Sequence, residues 1–248
     1  TIDTELNILS AASDLFSQHN IKVLVCSNDT NHIFMDKRRS QHFFENNNIP
    51  TPRLYSNEES IGLTDDKYPL LLKPANGSCS IGVTKVYNKK ELMFFLEYLN
   101  DPIVQEFIQG DEYTIDVLVD FYGRVQCAVP RLRIETRAGE VSKAITVNDK
   151  EIIDWSYKVA GLMDGAMGCI TLQCFKQKKG ELKFIEINPR FGGGFPLTAA
   201  AGANYPLWIL QMLSDQSIQT DMQAQWQDNF SMLRFDQGLF AKASSVGL

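Results

Sequence analysis

A chain of 248 residues with 44% hydrophobic and 22% charged residues can bury one large core, or one domain and a fragment. Its net charge of −6 and pI near 5.2 give no electrostatic reason to expect nucleic acid or an acidic membrane as partner. Five cysteines without a C-x-x-C pair point to free thiols in a reducing cytoplasm. Three histidines, none at zinc spacing from a cysteine, argue against a zinc site, and no apolar run reaches the roughly 18 residues of a membrane helix.

In chain order, residues 4–19 place Leu6, Leu9, Ser13 and Phe16 near helical spacing, with Thr4 as cap. Residues 21–26 (IKVLVC) read as a short buried strand, and helix followed by buried strand is the rhythm of a parallel α/β sheet. One such unit is too little for a whole nucleotide-binding domain, so residues 1–35 are expected to be the last part of an N-terminal α/β domain. Asp36–Asn48 reads as a helix stopped by Pro50 and Pro52. Tyr68–Pro74 is a buried strand ending in Lys73. A small-residue loop over 75–82 and a strand over 83–87 follow, and then a helix over 89–100 capped by Asn88. Residues 103–108 form a strand. Those over 112–120, 124–134 and 140–146 are the strands of an antiparallel meander. A helix over 149–163, a hairpin of 168–175 with 182–188, and helices over 197–201 and 205–213 complete the pattern. Beyond residue 219 it is too weak to assign.

Four constellations carry chemistry. Lys73 precedes Gly77, Ser78, Ser80 and Gly82, and a lysine with several backbone N–H groups can surround phosphates; on its own this is more often a turn with a solvated lysine. Residues 105–112 (QEFIQGDE) join two strands. Backbone groups there can pair with an adenine edge, and Glu112 can accept from ribose hydroxyls, although a plain hairpin turn accounts for the same residues. In residues 184–194 (FIEINPRFGGG) a strand's alternation puts Glu186, Asn188 and Arg190 on one face and sends Ile185 and Ile187 into the core. Glu186 and Asn188, with Gln173 on the neighbouring strand, are hard oxygen donors suited to Mg²⁺. Arg131, Arg133, Arg137 and Lys143 form a basic set that can neutralise an anionic substrate or a transferring phosphoryl group.

Taken together, Asp36-Lys37 opening a helix, the Lys73-Pro74 strand end, the small-residue loop, QEFIxGxE over 105–112 and FIEINPR over 184–190 resemble the ATP-grasp superfamily. The likeness is greatest to members like the carbamoyl phosphate synthetase large subunit and biotin carboxylase, over roughly residues 36–213. The resemblance implies an α+β fold, two lobes clasping ATP, preceded by part of a Rossmann-like α/β domain. Residues 1–35 would be its remnant and 36–248 the ATP-grasp domain, with a small lid lobe at about 67–107 and a large lobe at about 108–248. It implies that Lys37 and Lys73 contact the ATP phosphates under a lid over 76–82. Backbone around Glu106, Phe107 and Ile108, with Gln105, would hold adenine, and Glu112 the ribose. Gln173, Glu186 and Asn188 would hold Mg²⁺ (or Mn²⁺). Arg190 would face an acyl phosphate, with Arg131, Arg133 and Lys143 on the acceptor side. The activity implied is an ADP-forming carboxylate–amine ligase on small-molecule substrates, with neither nucleic acid nor membrane as partner and a homodimer open to it. A kinase on the same scaffold and a nucleotide-binding module without turnover are the alternatives. Cys79 stands in the lid where glycine is usual, and Gln173 where a carboxylate is usual.

Overall fold

Two antiparallel sheets face one another across a cleft, and the strand alternation of each decides which side chains reach it. The computed structural model describes residues 2–76, 82–137, 139–214, 221–237 and 240. The loop residues Gly77, Ser78, Cys79 and Ser80 therefore lie outside the described residues.

The N-terminal run is two helices, α1 (Asp3–Ala11) and α2 (Ser13–Gln18), where the spacing predicts one over 4–19. The break has a local cause: Ser13 Oγ donates to Leu9 O at 3.3 Å, and such back-bonding bends a helix. The start is set by Glu5, which accepts from Ile2 N at 3.2 Å, rather than by Thr4. Residues 21–27 pair with no strand, and Val25 N donates to Val23 O at 3.1 Å, so the expected strand over 21–26 is corrected. A parallel strand needs neighbours in one sheet, and both sheets formed by the described residues are antiparallel. Instead Ser27 N donates to Gly165 O at 2.9 Å and Asn31 Nδ2 donates to Cys26 O at 3.1 Å. Helix α3 (Asn28–Phe34), capped by Ser27, follows. Then comes α4 (Lys37–Asn46), whose cap Asp36 accepts from Arg38 N at 2.8 Å.

The small sheet has the order β1-β4-β2-β3, from β1 (Leu54–Tyr55), β2 (Leu70–Pro74), β3 (Thr84–Val86) and β4 (Pro102–Glu106). Helices α5 (Asn57–Ile61) and α6 (Lys89–Tyr98) accompany it. Its edge strand and α5 precede residue 67, so this lobe begins earlier in the chain than the expected 67–107. Leu70 and Leu72 pack with Val86, Leu92 and Val104 into a small core. The alternate residues of the same strand, Leu71 and Lys73, consequently face the cleft.

The large sheet has the order β10-β7-β6-β5-β8-β9. Its meander is β5 (Asp111–Val119), β6 (Val125–Arg137) and β7 (Glu140–Thr146), and its hairpin β8 (Gly168–Lys176) with β9 (Leu182–Asn188). The two are joined by β5 pairing β8. Strand β10 (Ser231–Leu233), in the tail that the sequence leaves unassigned, extends the sheet along β7. Helix α7 (Lys150–Gly161) covers one face, burying Ile152 and Val159 with Ile115, Val117, Val129, Ile170 and Leu172. Helices α8 (Phe195–Ala200) and α9 (Tyr205–Leu213) follow β9. Link residue Gly110 tolerates no side chain, since a Cβ there would stand 2.5 Å from Lys176 O, and this close approach sets the start of β5 against β8. The class is α+β.

Candidate functional site

Between the sheets lies a cavity of about 350 Å³ that brings together residues from both lobes. Lys37 sits in the first turn of α4, where its amide donates to Ala75 O at 3.1 Å. The neighbouring Arg38 forks onto Asp101 at 2.6 and 2.7 Å, tying this helix end to the small lobe. Lys73 at the end of β2 is 7% exposed. Burial pulls its ammonium down to about 8, Lys37 pulls the same way, and the charge of Glu186 opposes both. Lys73 thus approaches the cavity from the small sheet and Lys37 from the first turn of α4, with Leu71, Val83, Phe107, Phe175 and Ile185 supplying apolar wall.

Glu112, Arg133, Gln173 and Glu186 line the far side. Burial raises the Glu112 carboxyl and the adjoining Arg133 guanidinium counters it. Arg133 Nη1 bonds Glu112 and also approaches Gln173 Oε1 at 3.4 Å, while Nη2 donates to Gly139 O at 3.0 Å. Glu186 lies directly opposite Gln173 in the β8–β9 ladder, and Asn188 opposite Thr171. A bulge between Gln173 and Cys174 breaks this register. It corrects the simple alternation: Phe184 and Ile187 enter the core, whereas Ile185 turns to the cavity beside Glu186.

A second cavity of about 150 Å³ adjoins the first, sharing Arg133, Gly139, Gln173 and Glu186 and adding Arg131, Asn188, Arg190 and Gly192–Gly194. Gln173 Oε1, the Glu186 carboxylate and Asn188 Oδ1 are hard oxygen donors on adjacent strands, which fits a hard divalent cation. The set carries one carboxylate, and no group of three His, Cys, Asp or Glu able to hold a metal exists among the described residues.

Several expected roles are corrected. Lys143 lines neither cavity; bulges on either side of Glu135 turn it outward, where it pairs with Glu135 at 2.6 Å. Arg137 likewise is exposed beside Glu135. Arg131 is no open acceptor-side cation. It is fully buried and forks onto the equally buried Asp116 at 2.8 and 3.1 Å. Gln105 turns its carboxamide to Gln41 Oε1 at 3.2 Å, and Glu106 N donates to Arg53 O at 2.9 Å. Both residues nevertheless line the larger cavity beside Phe107 and Ile108. Arg190 does reach the second cavity, but its Nε and Nη2 grip Asp3 of α1. Gly82 is described, and lines neither cavity.

The sequence motifs single out neither Asp116 nor Asp3. A lone acid inside the apolar run 115–119 was a signal for the first, which also accepts from Thr198 Oγ1 at 2.5 Å and Thr171 Oγ1 at 3.3 Å. Asp3 carried none, because its partner lies 187 positions away. Nor do the motifs single out Lys85, whose ammonium sits 3.8 Å over the Phe107 ring at the cavity wall.

A family model described as "ATP-grasp in the biosynthetic pathway with Ter operon" matches residues 99–237, more than half of the chain. The chain belongs to the ATP-grasp family. Among curated ATP-grasp relatives, the D-alanine–D-alanine ligase of Pseudomonas entomophila is 26% identical over 204 residues, covering 73% of this chain and 64% of that protein. The carbamoyl phosphate synthase large chain of Methanobrevibacter smithii is 27% identical over 224 residues, 82% of this chain and 21% of that one. The chain therefore spans less than two thirds of the length of these relatives. Among solved structures, the biotin carboxylase domain of Hydrogenobacter thermophilus 2-oxoglutarate carboxylase, complexed with MgADP and bicarbonate, superposes with a TM-score of 0.74 at 20% identity, over 91% of this chain and 55% of that one. The L-amino acid ligase of Bacillus licheniformis gives 0.65 at 19%, over 87% and 56%. These likenesses establish the ATP-grasp fold. No helix among the described residues is long and apolar enough to cross a membrane.

Proposed function

We propose that the chain is an ATP- and Mg²⁺-dependent ligase that activates a carboxylate as an acyl phosphate for attack by an amine, releasing ADP and phosphate. The observation that carries this reading is Lys73: a buried ammonium that feels the charge of Glu186 in the larger cavity, with Lys37 lining the same cavity and a smaller cavity edged by Arg190 adjoining it. At neutral pH most of the Lys73 population remains charged, so the pair of lysines can take the ATP phosphates. The Phe107–Ile108 link and the apolar wall would receive the base, and Glu112 the ribose hydroxyls. Gln173, Glu186 and Asn188 would hold Mg²⁺, which when bound supplies charge compensation for the triphosphate.

The smaller cavity is the place for the acceptor carboxylate. One of its oxygens attacks the γ-phosphorus and the bond from γ-phosphorus to the β–γ bridging oxygen breaks, so that ADP leaves. The amine then adds to the acyl carbon, the carbon–oxygen bond to phosphate breaks, and the amine's proton passes to solvent. The protein's share is positioning and charge compensation by Arg190, Lys37 and Lys73.

The finer reading, a carbamoyl phosphate synthetase-like enzyme, draws support from the Methanobrevibacter relative. The D-alanine and L-amino acid ligases favour amino-acid acceptors. Residues 2–35 are best taken as part of the family's preceding domain, and a homodimer is consistent with the Hydrogenobacter biotin carboxylase domain dimer. The test is a coupled assay for ADP and phosphate over a panel of amino acids and small carboxylic acids. The ligase reading expects both products with a stimulating acid–amine pair and loss of turnover in Glu186→Ala/Asn188→Ala. ADP without phosphate would return the kinase alternative, and absence of MgATP binding would overturn the reading altogether.

A further inference from the structure

We infer that Asp3 is a positioning residue of this site, acting through Arg190, so that the N-terminal helix belongs to its working parts. The inference rests on the ligase reading above, and on a contact made to Arg190 by a residue outside the family match over 99–237. The Asp3 carboxylate receives the guanidinium fork, from Nε and from Nη2, the latter at 2.7 Å. A planar fork on a carboxylate fixes both distance and plane, which a single bond does not. Arg190 is 18% exposed and Asp3 33%, so the pair is sheltered without being sealed.

The support behind Asp3 is firm. It opens α1, where a carboxylate is favoured by the helix dipole. One turn on, Leu6 is fully buried, and its carbonyl accepts from Asn31 Nδ2 of α3 at 3.4 Å. Helix α1 packs on α3, and α3 reaches β9. The carboxylate is therefore carried by a packed element and not by a loose end.

What it controls is seen at the other end of the arginine. Arg190 Nη2 also donates to Asn188 Oδ1 at 3.3 Å, and Nη1 donates to Phe191 O at 3.1 Å. Asn188 Oδ1 is one of the three oxygens proposed for the divalent cation. A guanidinium left to itself would settle on that oxygen and compete with a dication for it, as a donor and as a like charge. Asp3 draws the fork aside and offsets its charge. The competing account is a plain ion pair stapling α1 to the body of the protein, which would affect stability and nothing else.

The two separate in a double-mutant cycle read on Mn²⁺ binding, followed by electron paramagnetic resonance with saturating ADP. Wild type, Asp3→Asn, Arg190→Met and the double variant are compared, with thermal unfolding of each recorded. Asp3→Asn is expected to weaken Mn²⁺ about 10-fold, the lower end for loss of a group supporting a ligand. Metal-free ADP affinity stays within twofold. In the Arg190→Met background the same change moves Mn²⁺ affinity less than twofold, because the arginine it restrains has gone. Unchanged Mn²⁺ affinity in Asp3→Asn, whatever the loss of stability, reduces the pair to a staple and overturns the inference. An equal loss in both backgrounds also overturns it, because Asp3 would then act without Arg190. Wild-type protein that binds no ADP would remove the ligase reading and the inference with it.

Discussion

Replacing Asp116 by alanine is expected to be among the most damaging single changes in the large lobe. Its carboxylate accepts from Arg131 at 2.8 and 3.1 Å, from Thr198 at 2.5 Å and from Thr171 at 3.3 Å, and neither member of the ion pair is exposed. Asp116→Ala leaves a guanidinium in the protein interior with nothing to balance it. Arg131 Nη1 is already without a hydrogen-bond partner, so the guanidinium has little to fall back on. Breaking a buried pair from one side costs about 3–5 kcal/mol, a large part of the roughly 5–15 kcal/mol that holds a domain folded. In a chain of this size that is a fall in melting temperature of roughly 6–20 °C. Removing both charges, as in Asp116→Val/Arg131→Met, takes away the imbalance, and much of the loss should return. Urea titration with a constant m-value gives the free energies. A loss below about 1 kcal/mol in Asp116→Ala, or a double variant as unstable as the single one, would refute the reasoning.

Two further outcomes follow from the same geometry. A Cβ on Gly194 would stand 2.0 Å from Arg131 Nη1 and 2.8 Å from Val141 Cγ1, whereas one on Gly193 meets nothing nearer than 3.8 Å. Gly194→Ala should therefore cost about 1–3 kcal/mol, and Gly193→Ala little, in parallel thermal melts; equal melts would show that the buried arginine yields. Lys73 has a folded-state value of about 8 against an ordinary 10.5, so between those pH values the unfolded chain binds more protons and stability rises with pH. Lys73→Met should be more stable than wild type at pH 7. That advantage should shrink by up to roughly 3 kcal/mol as pH climbs from 8 to 10.5, while MgATP affinity falls; a pH-independent difference would contradict the burial argument.

How far the fold and the site could be read in advance depended on the range of the interaction involved. Strand patterning is local, and it placed the strand that ends in Lys73-Pro74, the meander and the hairpin. The same rule failed at Ile185, because a bulge is a property of two paired strands and not of one. It failed again at Lys143, which the bulges beside Glu135 turn outward. Residues 21–26 look like a strand by composition, yet a strand exists only where a neighbour offers hydrogen bonds. Charge pairing was the least legible. A basic residue in a motif suggests a ligand, but Arg131 meets Asp116 across one ladder, Arg133 meets Glu112, and Arg190 meets Asp3 from the far end of the chain. Three arginines that look alike in sequence thus differ in what they can do: one shapes the floor beneath Gly194, one joins Glu112 and Gln173 in the larger cavity, and one is held at the edge of the smaller. What separates them is exposure: the Arg190–Asp3 pair, at 18% and 33%, is more open than the Arg133–Glu112 pair at 11% and 27%, and the Arg131–Asp116 pair is sealed.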